Sequence, residues 1–461
     1  MFRKTGCFSA GGAFFEFIAS KKKRWFPAAG DAGRKFKKDR ELMVKDMYQK
    51  TVLENGVRIV TEKLPHMRSA SLGIWVKNGS RYETPEFYGM SHFIEHMLFK
   101  GTETMSALDI AKKMDEIGGH INAFTTKECT CYHVKTLGCH LRPAAAVLAD
   151  MFLRSRFGEG EVQLERGVIF EEIDMYEDSP EDLATEKIAE NCYAGTGLGH
   201  PILGDRDSLS AFASASFFSY FNAHYRPEDT VVALAGNFTP EDVFYISGLF
   251  SEMRGTGRND ITPAVYRPVS RVYEKSIEQN HICIGFEGVP AFSEERFAAA
   301  LLGNMIGGGM SSRLFQKVRE ERGLCYSVYT FHAAAQDTGM FNVYTALNKA
   351  SEEEALRLIR EELERFRKEG PSDRELERTR QQVETNILLA GESTHSHMNR
   401  LGKTELFEGR HFTDDYYIAQ YDKVTKEGIM AAADRILDFS RVSVCAVGNV
   451  EEASRYLELL G

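Results

Sequence analysis

The chain of 461 residues is predicted to be an α+β protein made of two copies of one unit. Its length exceeds what one ordinary hydrophobic core fills, and two to four domains are expected. A second observation is an internal echo. Asp229–Phe238 reads as an apolar strand ending in Gly236-Asn237 before a helix start, and Arg441–Val450 reads the same way around Gly448-Asn449. The two glycines stand 212 residues apart (448 − 236). A third observation pairs Leu72–Val76 with Ile282–Phe286, each an apolar strand followed by a helix, at an offset of about 210.

Taken in order, the folded part opens at Thr51–Val60, where Asn55-Gly56 between two apolar runs signals a hairpin. Ser69–Val76 is a strand, and a turn follows at Gly79-Ser80. A helix is expected from Tyr88 to Phe99, and Gly118-Gly119 breaks the next one. Ile121–Leu137, rich in β-branched and aromatic residues, reads as two strands. Helices are expected over 141–154, 161–178, 181–193 and 208–224; in the second, Leu164, Val168, Ile169, Ile173 and Tyr176 recur at helical spacing. Arg254–Pro263 has the composition of a linker. Beyond it, a helix at Ser293–Ile306 is followed by an αα-hairpin of Ser351–Lys368 and Asp373–Leu389, broken at Gly370-Pro371. The expected division is a basic extension over 1–46, a first domain over 47–253, a linker over 254–268 and a second domain over 269–461.

The net charge of −10 gives no sign of a nucleic-acid protein. It is unevenly spread: residues 1–40 hold eleven Lys/Arg against three acids, a balance of +8, which leaves −18 for the remainder. That basic segment has no apolar period and is expected to lie outside the fold. It reads either as an over-extended reading frame, with Met43 and Met47 as later starts, or as an organelle transit peptide, and the first is favoured. Cytoplasmic location goes with the first reading and the mitochondrial matrix with the second. The eight cysteines are scattered, with no CxxC pair, and are expected to be free thiols in a reducing compartment. No run of 18 apolar residues suggests a membrane span.

One stretch carries chemistry: Ser91-His92-Phe93-Ile94-Glu95-His96-Met97-Leu98-Phe99-Lys100-Gly101-Thr102. His92 and His96 stand at i and i+4, on one face of a helix, with Glu95 beside them. H-x-x-E-H is the inverted zinc-peptidase arrangement. Two imidazoles suit zinc, which needs a third protein ligand and an open position for water. The helix at 161–178 offers Glu161, Glu165, Glu171, Glu172, Asp174 and Glu177. Glu165 and Glu172 share a face with apolar neighbours, where a bare charge needs a partner. The counterpart helix near 293–306 has no histidine, so only the first unit holds a metal.

These residues make the chain resemble the pitrilysin–insulinase family of zinc peptidases, in its processing-peptidase branch. Glu165-Arg166-Gly167-Val168-Ile169-Phe170-Glu171-Glu172-Ile173 is similar to the family's distal-glutamate helix. The resemblance implies Glu172, 76 residues after His96, as third ligand and Glu165 as a carboxylate that orients the site. Gly118–Thr125 resembles the edge strand on which a peptide adds as an extra strand, which implies Asn122, Ala123 and Phe124 as substrate-binding. Gly307–Gln316 resembles a glycine-bearing loop, and Val318–Tyr326 the segment whose Arg319 and Tyr326 reach the active site.

The fold so implied is two homologous α/β-sandwich domains, each a mainly antiparallel sheet covered by helices and related by internal duplication. The function implied is a zinc-dependent endopeptidase with one Zn²⁺ per chain, Glu95 as general base, and unfolded peptides or presequence-like segments as substrates. The alternative is a non-catalytic or partner-dependent subunit of the same fold. A homodimer is expected, with a heterodimer as the other arrangement.

Overall fold

The computed structural model describes residues 47–255 and 259–460. The basic segment 1–40 and Cys7 lie outside the described residues. Lys50–Gly461 forms one compact unit; of the other, Met1–Gln49, only residues 47–49 are described.

Two sheets organise the main unit. The first contains β1 (Tyr48–Val52), β2 (Arg58–Lys63), β3 (Ser69–Val76), β4 (His120–Thr125), β5 (Thr130–Leu137) and β6 (Thr230–Gly236), in the order β1-β2-β6-β3-β5-β4. The second contains β7 (Ser270–Glu274), β8 (Gln279–Glu287), β9 (Cys325–Ala334), β10 (Gly339–Asn348) and β11 (Ser443–Gly448), in the order β7-β11-β8-β10-β9. Setting aside β1, the two orders are the same. Each sheet has a parallel pairing, β2 with β6 and β7 with β11, and the pairings of β3 with β5 and β6, β4 with β5, β8 with β10 and β11, and β9 with β10 are antiparallel. The Gly-Asn echo occupies the ends of β6 and β11, where Gly236 (φ +124°) and Gly448 (φ +139°) take a backbone conformation closed to most side chains. The duplication read from the sequence is therefore a duplication of topology.

The helices follow the same period. Four matter for the site: α1 (Met90–Leu98), α2 (Glu159–Asp178), α3 (Pro180–Cys192) and α4 (Thr394–Glu408). One face of the first sheet packs on α1 and on the helices Leu141–Leu153 and Ser214–His224, through Leu72, Ile74, Phe93, Ile94, Met97, Leu148, Phe152 and Phe217. One face of the second sheet packs on Arg296–Gly307, Glu352–Glu369 and Lys426–Ile436. The remaining face of each sheet is covered by a helix from the other half. From the first half, α3 lays Ala184, Ile188 and Cys192 on Cys283, Cys445 and Val447. From the second half, α4 lies across β2, β3 and β6. There the Thr394 hydroxyl meets that of Ser71 (2.9 Å), the Trp75 indole N–H points at Met398 Sδ (3.4 Å), and His397 pairs with Glu62 (2.9 Å).

Several expected elements change in detail. The region 208–224 is two helices, Arg206–Ala211 and Ser214–His224. The apolar stripe on α2 is only partly a core face: Ile169 is buried, but Leu164 is 75 % exposed and Val168 50 %. Within the linker-like stretch, Tyr266 is buried, with its hydroxyl 2.6 Å from that of Ser443. Five of the described cysteines are buried, Cys325 is half-buried, Cys139 is exposed, and none is in a disulfide. No described helix is long and apolar enough to cross a membrane.

Candidate metal centre

The helix α1 is fixed from both ends of its amphipathic pattern. Met90, Phe93, Ile94, Met97 and Leu98 enter the first core. Its first turn is held by Glu83, whose carboxylate accepts the N–H groups of Gly89 (2.8 Å) and Ser91 (2.7 Å). A carboxylate at a helix N-terminus satisfies donors that have no partner within the helix. The Ser91 hydroxyl is in turn shared by Asn78 (3.1 Å) and Tyr220 (3.2 Å). With the apolar face anchored, His92, Glu95 and His96 are left on the face toward α2.

There, His92, His96 and Glu172 each offer one donor atom, and the three atoms lie within 4.8 Å of one another. Glu172 Oε2 stands 3.7 Å from His92 Nε2 and 3.5 Å from His96 Nε2. In a tetrahedral site with metal–ligand bonds near 2 Å, donor atoms sit roughly 3.3 Å apart, so this spacing and this donor set fit zinc. Among the described residues, no other group of three such donors comes together.

Glu165, two helical turns before Glu172, is buried and turned the same way. It accepts from His96 Nδ1 (2.8 Å) and from Lys100 Nζ (2.5 Å). Such a bond fixes the tautomer and orientation of the ring and leaves Nε2 facing the donor cluster. Burial opposes charge on both groups, but the pair outweighs it. The Glu165 carboxyl is held below its usual range, and the His96 ring is pushed up to about 9 by Glu165 and Glu172. His92 goes the other way, to about 4, because it is buried and beside His96. Glu95 is raised by burial against a 2.5 Å hydrogen bond from the Thr125 hydroxyl.

Strand β4 is an edge strand, its outer side unpaired within the sheet. Asn122, Ala123 and Phe124 lie on it, and the Ala123 N–H is taken by the Asn122 side-chain oxygen (2.9 Å). Arg319 and Tyr326 are in the second half, the latter on the edge strand β9. Their contact is with each other: the Arg319 guanidinium lies 4.7 Å from the Tyr326 ring centre and equally near Phe315. Tyr326 is 73 % exposed. Among the described residues, no hydrogen bond, ion pair or ring contact joins either one to the histidine pair.

Lys100 and Thr125 were not visible as site residues in the sequence. Lys100 does stand at i+4 from His96, the next turn of the same face, and that spacing was a usable signal. Thr125 carried none, because its approach to Glu95 depends on how β4 crosses α1.

Comparison with known proteins agrees with this architecture. Residues 58–206 match the family described as insulinase (peptidase family M16), and residues 212–383 match the peptidase M16 inactive domain. The uncharacterized zinc protease YmxG of Bacillus subtilis is 39 % identical over 407 residues, covering 88 % of this chain and 100 % of that protein. An uncharacterized zinc protease of Streptomyces coelicolor is 37 % identical over 414 residues, covering 88 % and 90 %. Among solved structures, a peptidase M16 inactive domain from Pseudomonas fluorescens superposes with a TM-score of 0.82 at 19 % identity, covering 88 % of this chain and 98 % of its own. A protease from Helicobacter pylori gives 0.79 at 19 %, covering 87 % and 99 %.

Proposed function

The chain belongs to the insulinase family of peptidases, family M16, and from that premise we propose that this zinc metalloprotease is an endopeptidase for unfolded peptides or presequence-like segments, with Glu95 as general base. The observation that carries the proposal is the convergence of His92, His96 and Glu172 beside Glu95. Bound by these three, zinc supplies a Lewis acid that acidifies water and polarises a carbonyl. Glu95, raised by burial and held by the Thr125 hydroxyl, takes the proton of the attacking water and passes it to the leaving amine. Glu165 keeps the His96 ring turned so that Nε2 faces the donor cluster. The free edge of β4 takes the peptide main chain as an added strand, displacing the Asn122 side chain from the Ala123 N–H. The division into 47–253, 254–268 and 269–461 accompanies this reading as the proposed domain plan.

The exposure of Tyr326 favours a second element. Arg319 and Tyr326 act on substrate from a second chain, in a homodimer or with a related partner, rather than within their own chain.

The test is cleavage of an unstructured peptide by purified protein with its zinc content measured. Cleavage is expected to stop with chelator and return with zinc. Glu95→Gln is expected to retain zinc and lose turnover by at least about 100-fold, the scale of general-base catalysis. Undiminished turnover in that variant would remove Glu95 from the mechanism.

A further inference from the structure

The shared strand order makes β9 the counterpart of β4 and β10 that of β5. The turn between β4 and β5 is therefore equivalent to the turn between β9 and β10, and the two turns meet. Glu128 of the first accepts the backbone N–H of Gln336 (3.1 Å) and its side-chain amide (3.1 Å) in the second. Arg81 lies between them with its side chain fully buried. Its guanidinium donates to Glu128 (2.6 Å) on one side, and to Asp337 (2.7 Å) and the Thr262 carbonyl (3.1 Å) on the other. Asp337 in turn accepts the Ala264 N–H (3.0 Å). The main chain adds to this hold. The Arg81 N–H donates to the Lys127 carbonyl (2.8 Å) and the Ser80 N–H to that of Thr126 (3.3 Å). The approach is so close that a Cβ on Gly79 would stand 2.2 Å from the Thr126 carbonyl oxygen.

Among the described residues, none of these groups is bonded to His92, His96 or Glu172. Their effect falls on β4. That strand is paired on one side only, with β5 from His120 to Thr125, and its other edge is the one offered to a peptide. A ladder hydrogen bond needs donor and acceptor about 3 Å apart and well aligned. An edge strand loose at its end must be ordered by the peptide itself, at a cost of roughly 5- to 30-fold in affinity for each residue so fixed. A guanidinium shared by two carboxylates fixes angle as well as distance. The tip of the β4–β5 hairpin is thus ordered before any peptide arrives.

We propose that Arg81 is a positioning residue for peptide binding: by joining Glu128 to Asp337 it locks the β4–β5 hairpin to the equivalent hairpin of the second half, so that β4 presents its free edge in register. The inference rests on the peptidase reading above. It separates binding from chemistry. Loss of the lock weakens the peptide complex, while the zinc donors on α1 and α2 keep their places.

The experiment measures KM and kcat for an unstructured peptide, and zinc affinity, in wild type, Arg81→Gln, Glu128→Gln and Asp337→Asn. Melting temperatures show which variants are folded. Each is expected to raise KM by roughly 5- to 30-fold, with kcat and zinc affinity within about threefold of wild type. Asp337→Asn, at the more exposed end of the bridge, should fall at the low end. If Arg81→Gln does not fold, the two carboxylate variants carry the test. The peptide's own main chain gives a second readout. N-methylation of a peptide amide that bonds to β4 removes one ladder bond. Its penalty on binding to zinc-loaded Glu95→Gln should shrink when Glu128→Gln is added, because that bond is already weakened. A KM within about twofold of wild type in folded Glu128→Gln and Asp337→Asn overturns the proposal. So does a fall in zinc affinity equal to the rise in KM, which would put Arg81 behind the metal site instead. If zinc-loaded wild type leaves every such peptide uncut, the peptidase reading fails and the positioning role with it.

Discussion

Removing the Glu165 carboxylate tests whether the His96 ring is held in place by α2. Glu165 is 5 % exposed and is the group that meets His96 Nδ1, at 2.8 Å. Its other bond is to Lys100, whose side chain is about a third exposed and free to turn to water, so little is lost on that side. The loss therefore falls on the metal site. Partners of this kind are worth about 10- to 100-fold in metal affinity, or roughly 1.4 to 2.8 kcal/mol. Glu165→Gln keeps an acceptor oxygen but not the charge and belongs near the lower figure. Glu165→Ala loses both and leaves a small void, so it belongs near the upper one. The assay is zinc competition against a chromophoric chelator at fixed pH and salt, with circular dichroism to show that both variants fold. Zinc affinity within twofold of wild type in both variants, or a Gln variant weaker than the Ala variant, would refute the orienting role.

Three further outcomes follow from particular contacts. Burial lifts the Glu83 carboxyl to about 7, against 4.5 when solvated. A group raised in the folded state adds stability below its unfolded value and loses it as pH rises through its folded value. Wild type should therefore lose roughly 3 kcal/mol relative to Glu83→Gln between about pH 4.5 and 7, read from paired melting curves across that window; parallel curves would contradict it. A Cβ on Gly402 would collide with the Trp75 indole ring, a rigid wall, whereas one on Gly73 would meet the flexible thioether of Met398. Gly402→Ala should cost about 1–3 kcal/mol and Gly73→Ala less, and the reverse order of melting temperatures would mean that α4 shifts easily on the first sheet. Finally, the Arg81 guanidinium, fully buried, joins Glu128 (2.6 Å) to Asp337 (2.7 Å) across the two halves. Arg81→Ala should cost about 3 kcal/mol, at the low end for a broken buried pair because Asp337 is 30 % exposed, as measured by the urea midpoint.

What could be read from the sequence was what the chain writes locally. The histidine pair and its glutamate are one helical turn of α1, and Glu165 and Glu172 are two turns of α2. The topological repeat was legible because a left-handed glycine recurs at the end of the same strand in both halves. Thr125 was not legible, because it acquires its role from Glu95 on an element distant in the chain.

The largest omission, α4, has a physical reason that reaches beyond this helix. Its buried Met398, Leu401 and Leu406 are interleaved with buried Thr394, His397, Thr404 and Glu405, so hydrophobic periodicity marks its inner face only in part. For three of these polar groups the first sheet supplies partners, Ser69 and Ser71 for Thr394, Glu62 for His397, and Lys50 and Arg58 for Glu405, while the Thr404 hydroxyl donates to the Arg400 carbonyl of its own helix. The opposite case is α2, where Leu164 and Val168 have the spacing of a core face and stay largely exposed. Both departures sit where the halves or their surroundings meet, not within either core. A polar joint costs little in net stability when every group is paired, but it is directional, since each bond fixes an angle as well as a distance. An apolar joint could slide. The polar matching between α4 and the first sheet, at Thr394, His397 and Glu405, thus fixes the angle at which this helix of the second half crosses β2 and β3.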